Sequence, residues 1–371
     1  MNFSYWEIKN WFTNVDYTVV GSGIVGLHCA LKLRERFPES KILVLEKGIL
    51  PQGASTKNAG FACFGSISEI LDDLKSHSEE EVIQLINKRK TGIELLRKRL
   101  GDEKINYQPF GGYELFLKNE SDIYNECLQK LPFINEMLKP VFKADTFAKQ
   151  VDRFNFSGIH EYSIFNPFEG QIDTGKMMNN LMKLAIAENI LILNNQNVTS
   201  FNENKTDVDV ALGDFSFKTK KLCFATNGFA ANITNNQVKP ARAQVLVTEP
   251  IANLDINGTF HIDKGYCYFR NIDNRILIGG ARNLDFETEN TTEFGLTTII
   301  QNRLEELLKT VVLPNIDFKI ETRWSGIMGM GNSKTAIVSQ LSDNVFCGVR
   351  MGGMGVAIGS LVGAELADLV K

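Results

Sequence analysis

Residues 16–47, DYTVVGSGIVGLHCALKLRERFPESKILVLEK, decide the fold. Residues 16–20, aromatic or β-branched after Asp16, read as a buried strand. Residues 24–37 carry helical periodicity, and Pro38 stops it. Residues 41–45 read as a second buried strand. Strand, helix and strand within about 30 residues make a βαβ unit on a parallel sheet. Its first turn is Gly21-Ser22-Gly23-Ile24-Val25-Gly26, a GxGxxG. The first glycine makes the tight turn, the second lets the backbone approach a pyrophosphate, and the third lets helix and strand pack closely. The helix start at Ile24 and Val25 offers free N–H groups and the positive end of a dipole to that anion. Glu46 closes the second strand 20 residues after Gly26, with Lys47 beside it. Its carboxylate suits both hydroxyls of an adenosine ribose and would repel a 2′-phosphate, which disfavours NADP. These features point to a dinucleotide and leave NAD and FAD unseparated.

A second segment follows: Gly53-Ala54-Ser55-Thr56-Lys57-Asn58-Ala59-Gly60-Phe61. Small residues and backbone donors suit it to a pyrophosphate and the edge of an isoalloxazine. Taken by itself it fits an ordinary polar loop equally well. Helices are expected at 79–100, 121–138 and 174–187, the last capped by Asp173. Strands are expected at 112–117, 190–193, 207–212 and 221–225. Between 240 and 320 the pattern changes. Residues 243–248 read as a strand, and 265–270 with 275–279 as an antiparallel hairpin turning at 271–274. Strand and helix return at 344–349 and 356–370 around a glycine turn. The expected division is a discontinuous nucleotide-binding domain (1–85, 150–238 and 321–371) carrying a β-rich substrate domain (86–149 and 239–320).

With 43% hydrophobic and 23% charged residues the chain can bury a large core, and disorder is not indicated. A net charge of -4 offers no electrostatic footprint for nucleic acid. The six cysteines form no CxxC pair and read as reduced, buried thiols. No transmembrane or signal segment is expected, so a cytoplasmic protein is. Four scattered histidines argue against a histidine-rich metal site. His28, on the first helix, reads as packing, and Cys63 as a structural thiol near the second segment. Arg350 fits either a site residue or a bridge between loops.

In sequence order the chain resembles the D-amino-acid-oxidase-like family of flavoenzymes, which includes glycine and sarcosine oxidases, D-amino-acid dehydrogenases and γ-glutamylputrescine oxidases. Four segments carry the resemblance: VVGSGIVG with LEK, GASTKNAGF, FATNGFAANI, and NVFCGVRMGGMGVAIGSLVGAELADL. It implies an α/β fold, a Rossmann-type FAD-binding domain with an inserted antiparallel β-rich substrate domain. It also implies FAD as cofactor. Gly21, Gly23 and Gly26 match the pyrophosphate turn and Glu46 the ribose ligand. Ala54, Ser55, Asn58, Ala59 and Gly60 match the loop against the flavin ring. Val198 matches the position whose backbone meets the adenine. Thr226, Asn227 and Gly228 match the crossover beside the pyrophosphate. Gly353, Met354, Gly355 and Val356 match the turn and helix start facing the flavin pyrimidine, where a helix N-terminus stabilises the charge of reduced flavin.

The resemblance implies an enzyme that oxidises a C–N bond of an amine or amino acid by hydride transfer to flavin N5. A flavin-dependent 2-hydroxyacid dehydrogenase and a non-catalytic flavin-binding redox sensor use the same architecture. Tyr266, Tyr268 and Arg270 alternate along one expected strand, so they share a face. They are the candidates for binding substrate, although the same pattern fits a packed aromatic stripe with a solvated edge charge. Met328 stands where amino-acid members of the family carry a carboxylate-binding arginine, which tilts the expectation toward an amine. No cysteine lies in 324–330, so noncovalent flavin is expected. Lysines that sarcosine oxidases place at the positions of Ala357 and near Leu277 are missing here, leaving oxygen, a quinone and a protein carrier open as electron acceptors.

Overall fold

The computed structural model describes residues 2–371. The strand Val15–Val20 pairs in parallel with Ile42–Leu45 on one side and Phe215–Phe224 on the other. Leu191–Leu193 and Val345–Val349 extend the parallel sheet at its two ends, and Ile337–Gln340 closes one edge antiparallel. All four residues of Ile42–Leu45 are buried. A parallel sheet covered on both faces has no wet side, hence the unbroken apolar run. The helix Ile24–Arg36 ends where Phe37 donates its N–H to the Leu33 carbonyl, one residue before Pro38.

Helices Ile24–Arg36, Glu79–Leu100, Ser121–Phe142 and Gly355–Leu369 share one core on a face of this sheet. Glycines allow the helices to touch. A Cβ on Gly92 would lie 2.0 Å from the Ala357 carbonyl oxygen, and one on Gly363 2.5 Å from that of Val25. The opposite face is covered by Phe12, Val208, Val210 and Phe217, from the N-terminal helical turns and an antiparallel extension.

The second sheet has eight strands, antiparallel apart from the pairing of Thr259–Ile262 with Gly112–Glu114. Its centre is the expected hairpin, Cys267–Ile272 with Arg275–Gly280. Asp273 and Asn274 turn it with φ of 46° and 58°. Left-handed backbone at both positions matches the twist of a hairpin, and Asp and Asn tolerate it.

Four elements pack differently from the expected division. Strands Tyr162–Asn166 and Ile320–Met330 belong to the second sheet, not to the nucleotide-binding part. The helix Glu79–Leu100 is not divided near 85, because Ile86, Ile93 and Leu96 continue one apolar face into the first core. The helix Ser121–Phe142 packs there too, through Ile134 and Leu138. None of the described helices is long and apolar enough to cross a membrane.

Candidate active site

One cavity of about 1640 Å³ runs from the end of the first βαβ unit to the face of the second sheet. It is lined by Gly21, Gly23, Ile24, Val25, Glu46, Lys47, Ala54, Ser55, Asn58, Ala59 and Gly60, then by Val198, Thr226 and Asn227, and by Gly353, Met354, Gly355 and Val356. The structure thus brings four distant stretches of chain to one wall.

At the glycine turn each glycine has its own reason. Gly21 holds a φ of +104°, and a Cβ there would sit 2.8 Å from the Ala225 carbonyl oxygen. A Cβ on Gly23 would lie 2.7 Å from Ser55 Oγ, and one on Gly26 1.8 Å from the Gly21 carbonyl oxygen. Gly26 does not line the cavity; its role is packing. Gly23 caps the helix without a side chain, and Gly23, Ile24 and Val25 at its start line the cavity; the Ile24 N–H donates to Ser55 Oγ at 3.0 Å. The cradle is shaped for an anion.

Glu46 is 6% exposed. Its Oε2 accepts the N–H and hydroxyl of Ser22 at 3.0 and 2.9 Å, and its Oε1 accepts the Gly48 N–H at 3.0 Å. The carboxylate is therefore held in place at the cavity wall.

The loop 53–61 is pinned from three sides. Asn58 folds its side chain into the loop, donating to the carbonyls of Ala54 and Ser55 and accepting from Gly60 N–H and Thr174 Oγ1. Trp324 Nε1 donates to the Lys57 carbonyl at 2.9 Å. Arg270 supplies the third clamp, and here the substrate-binding expectation is corrected. Arg270 is 2% exposed and does not line the cavity. Its Nη1 donates to the carbonyls of Ala59, Gly60 and Ile172 at 3.1, 3.2 and 2.6 Å, and its Nε to the Asn271 carbonyl. Burial lowers its pKa to about 10, which leaves it cationic at neutral pH. It shares the Tyr268 face, as the period of two required, but reaches the back of the loop 53–61 instead of solvent or the cavity. Gly60 has a φ of +76°, and a Cβ there would sit 2.6 Å from Arg270 Nη1.

Opposite the loop, Met351 to Gly355 make the turn into the helix Gly355–Leu369. Gly352 and Gly353 take φ of 57° and 83°. No side chain caps this helix at Met354. Asn227 Oδ1 accepts the Met351 N–H and braces the turn. Gly228 is buried beneath it, where a Cβ would meet the Met328 carbonyl oxygen at 2.6 Å, and it does not line the cavity.

At the far end the walls are Phe61, Cys63, Glu69, His261, Tyr268 and Met328. Tyr268 lies over Gly279 of the next strand, where a Cβ would be 2.9 Å from its ring. Burial pushes its hydroxyl up to about 12, so it is un-ionised. Tyr266 also lines the cavity but stands in the turn before the strand, 43% exposed, so the three candidates do not form one strand face. Cys63 does face the cavity; its Sγ lies 3.9 Å from Met354 Sδ, and burial holds the thiol well above its ordinary pKa. His28 lies in the helix packing, fully buried, and Arg350 donates to the Thr335 carbonyl between two loops. His261 and Arg282 also line the site and were missed by the motif reading. Neither belongs to a recognisable pattern; strand pairing and the cavity reveal them.

A fold of this kind, with a glycine cradle, a fixed acidic residue and a second sheet facing the cavity, defines a two-sheet dinucleotide-binding oxidoreductase. A model of the FAD dependent oxidoreductase (DAO) family matches residues 16–369, and the chain belongs to that family, with FAD as its cofactor. Among solved structures it is similar to glycine oxidase from Geobacillus kaustophilus (18% identity, TM-score 0.76, covering 96% of this chain and 94% of that one). L-proline dehydrogenase from P. horikoshii is comparable at 16% identity and TM-score 0.76, with 96% and 93% covered. Iminodiacetate oxidase (IdaA) from Chelativorans sp. BNC1 follows at 16% and 0.72, with 95% of each chain covered. No curated protein matches the sequence.

Proposed function

We propose that this protein oxidises a C–N bond of an amine, one bearing any carboxylate at a distance from the reacting carbon. FAD, when bound, supplies the two-electron acceptor, with a hydride equivalent passing from the substrate carbon to N5. Gly21, Gly23, Ile24 and Val25 would hold the pyrophosphate, Glu46 the ribose and Val198 the adenine. The loop 54–60 and the helix start at Gly353 to Val356 would hold the ring. The protein's share of the reaction is to orient the substrate and exclude water. Family neighbours whose names specify glycine, proline and iminodiacetate support nitrogen compounds as the substrate class.

The observation that carries the amine reading is the wall opposite the loop. Met328 lines it, and Arg270, the buried arginine nearest in sequence pattern, is committed to backbone carbonyls. A carboxylate placed there would have no buried arginine to pair with, the cavity-lining Lys57, Lys264 and Lys334 being partly or fully exposed, and an unpaired buried carboxylate costs several kcal/mol. Arg282 lies further out on the cavity rim, its guanidinium 4.6 Å over the Phe286 ring. It replaces Arg270 as the group able to meet a distant carboxylate.

Anaerobic titration of the holoprotein with amines, α-amino acids and 2-hydroxy acids tests this, following loss of flavin absorbance. An amine carrying a remote carboxylate should reduce the flavin with at least about a hundredfold higher efficiency than glycine or D-alanine, about 3 kcal/mol at 1.4 kcal/mol per decade. Fast reduction by glycine, or by hydroxy acids alone, would overturn the reading.

Attachment should be noncovalent. Cys63 is the one cysteine lining the cavity among the described residues, and burial keeps it a thiol rather than a reactive thiolate. Acid precipitation should leave the flavin in the supernatant; flavin retained in the pellet would refute this.

A further inference from the structure

We propose that His261 binds the substrate in this cavity and selects a hydrogen-bond-donating nitrogen group, an amine or ammonium, over a carboxylate. The inference rests on the amine reading above and names the residue that enforces it.

His261 is 7% exposed and lines the cavity. Neither ring nitrogen has a hydrogen-bond partner among the described residues; Nε2 is sealed inside the protein, so Nδ1, which is not sealed, is the nitrogen open to a ligand. Buried polar groups are nearly always paired, so an orphan beside a cavity marks a place for a ligand atom. His28 shows why the cavity matters. Its two nitrogens are equally unpaired, but it is wedged between helices, where Gly363 leaves room for its Cβ and no ligand can reach.

The position of His261 ties it to the reacting end. It lies directly opposite Tyr268 on the adjacent strand, so both side chains leave the same face. Both rings meet Phe61 edge-on, at 5.3 and 5.4 Å between centroids. Phe61 follows Gly60 directly, so the imidazole borders the wall formed by the flavin-type loop.

The charges around it favour a donor. Glu69 lines the same cavity, and Asp72 lies one turn further along its helix. On the other neighbouring strand Glu114 pairs in register with His261, but its carboxyl is taken by Ser66 and Ser68. Lys264, in the turn between Thr259–Ile262 and Cys267–Ile272, also lines the cavity, but it is exposed and its charge is solvated. Burial lowers the imidazole pKa, so the ring is neutral and keeps a lone pair for an N–H. A carboxylate would instead face Glu69.

Butylamine and butyrate, equal in length and opposite in charge, are the probes. Binding is read with the holoprotein by perturbation of the flavin spectrum and by the histidine ¹⁵N resonances. Butylamine should bind at least tenfold more tightly than butyrate and shift one imidazole signal, which His261→Leu removes. His261→Leu should weaken butylamine at least tenfold with FAD content unchanged, and His261→Asn, which retains a polar partner, should recover part of it. Equal binding of the two probes, or unchanged butylamine binding in His261→Leu, overturns the proposal. Should His261→Leu fail to fold, the imidazole shift in the wild type decides alone. Flavin reduction separates the two claims. If amines reduce the flavin equally well in wild type and His261→Leu, His261 is excluded while the amine reading stands. If butylamine binds through His261 but no amine reduces the flavin, the reaction assignment falls while the binding site stands.

Discussion

Glu46→Ala is expected to raise the FAD dissociation constant at least about a hundredfold. Two charge-assisted bonds to the ribose hydroxyls are each worth roughly 1.5–3 kcal/mol, and 1.4 kcal/mol is one decade. The structure adds a second effect. The same carboxylate accepts from Ser22 and Gly48, so its removal also leaves buried donors without a partner. The apoprotein should therefore melt at a lower temperature as well. Glu46→Gln keeps the shape and one acceptor oxygen and should fall between. Fluorescence quenching on FAD reconstitution gives the affinity, and calorimetry of the apoprotein gives the stability. A variant that melts early yet binds FAD as tightly as the parent would show Glu46 to be a brace for the glycine turn and nothing more.

The cofactor half of the molecule was legible in the sequence because its requirements are local. Gly21 must accept a positive φ, Gly26 must let two backbones touch, and an acidic residue must end the next strand. Each requirement falls on one residue at a fixed spacing. The hairpin at Asp273 and Asn274 was readable for the same reason. The strand Ile320–Met330 was not, because Gly326 and Gly329 interrupt the β pattern. Their reason is distant: a Cβ on Gly326 would press 3.0 Å from Lys57 Cβ, and one on Gly329 would meet Asn227 Oδ1 at 2.6 Å. Thr259–Ile262 was missed because four residues are too short for a period to show. His261 was lost with it, since only the pairing with Tyr268 turns an isolated histidine into part of a wall. Arg270 failed differently. The period of two assigned its face correctly, but no sequence pattern shows that three backbone carbonyls wait at the end of its side chain.

That geometry makes Arg270→Met a test of clamp against substrate ligand. The substitution removes the donor from the carbonyls of Ala59 and Ile172, which have no other hydrogen-bond donor among the described residues. The Gly60 carbonyl keeps one, the Ile172 N–H at 2.8 Å. Two buried acceptors left bare cost roughly 1–3 kcal/mol each, which for a chain of this size lowers the melting temperature by about 3–8 °C. The loop 53–61 would loosen with them, so FAD should bind at least about tenfold more weakly. Arg270→Lys restores charge without the planar fork and should recover only part of the loss. In the fraction that still carries FAD, the preference between an amine and an α-amino acid should be unchanged, because the guanidinium never faced the cavity. A variant with parental melting temperature and FAD affinity, but with substrate binding weakened a hundredfold, would return Arg270 to the substrate site and require its side chain to swing away from the loop when substrate arrives.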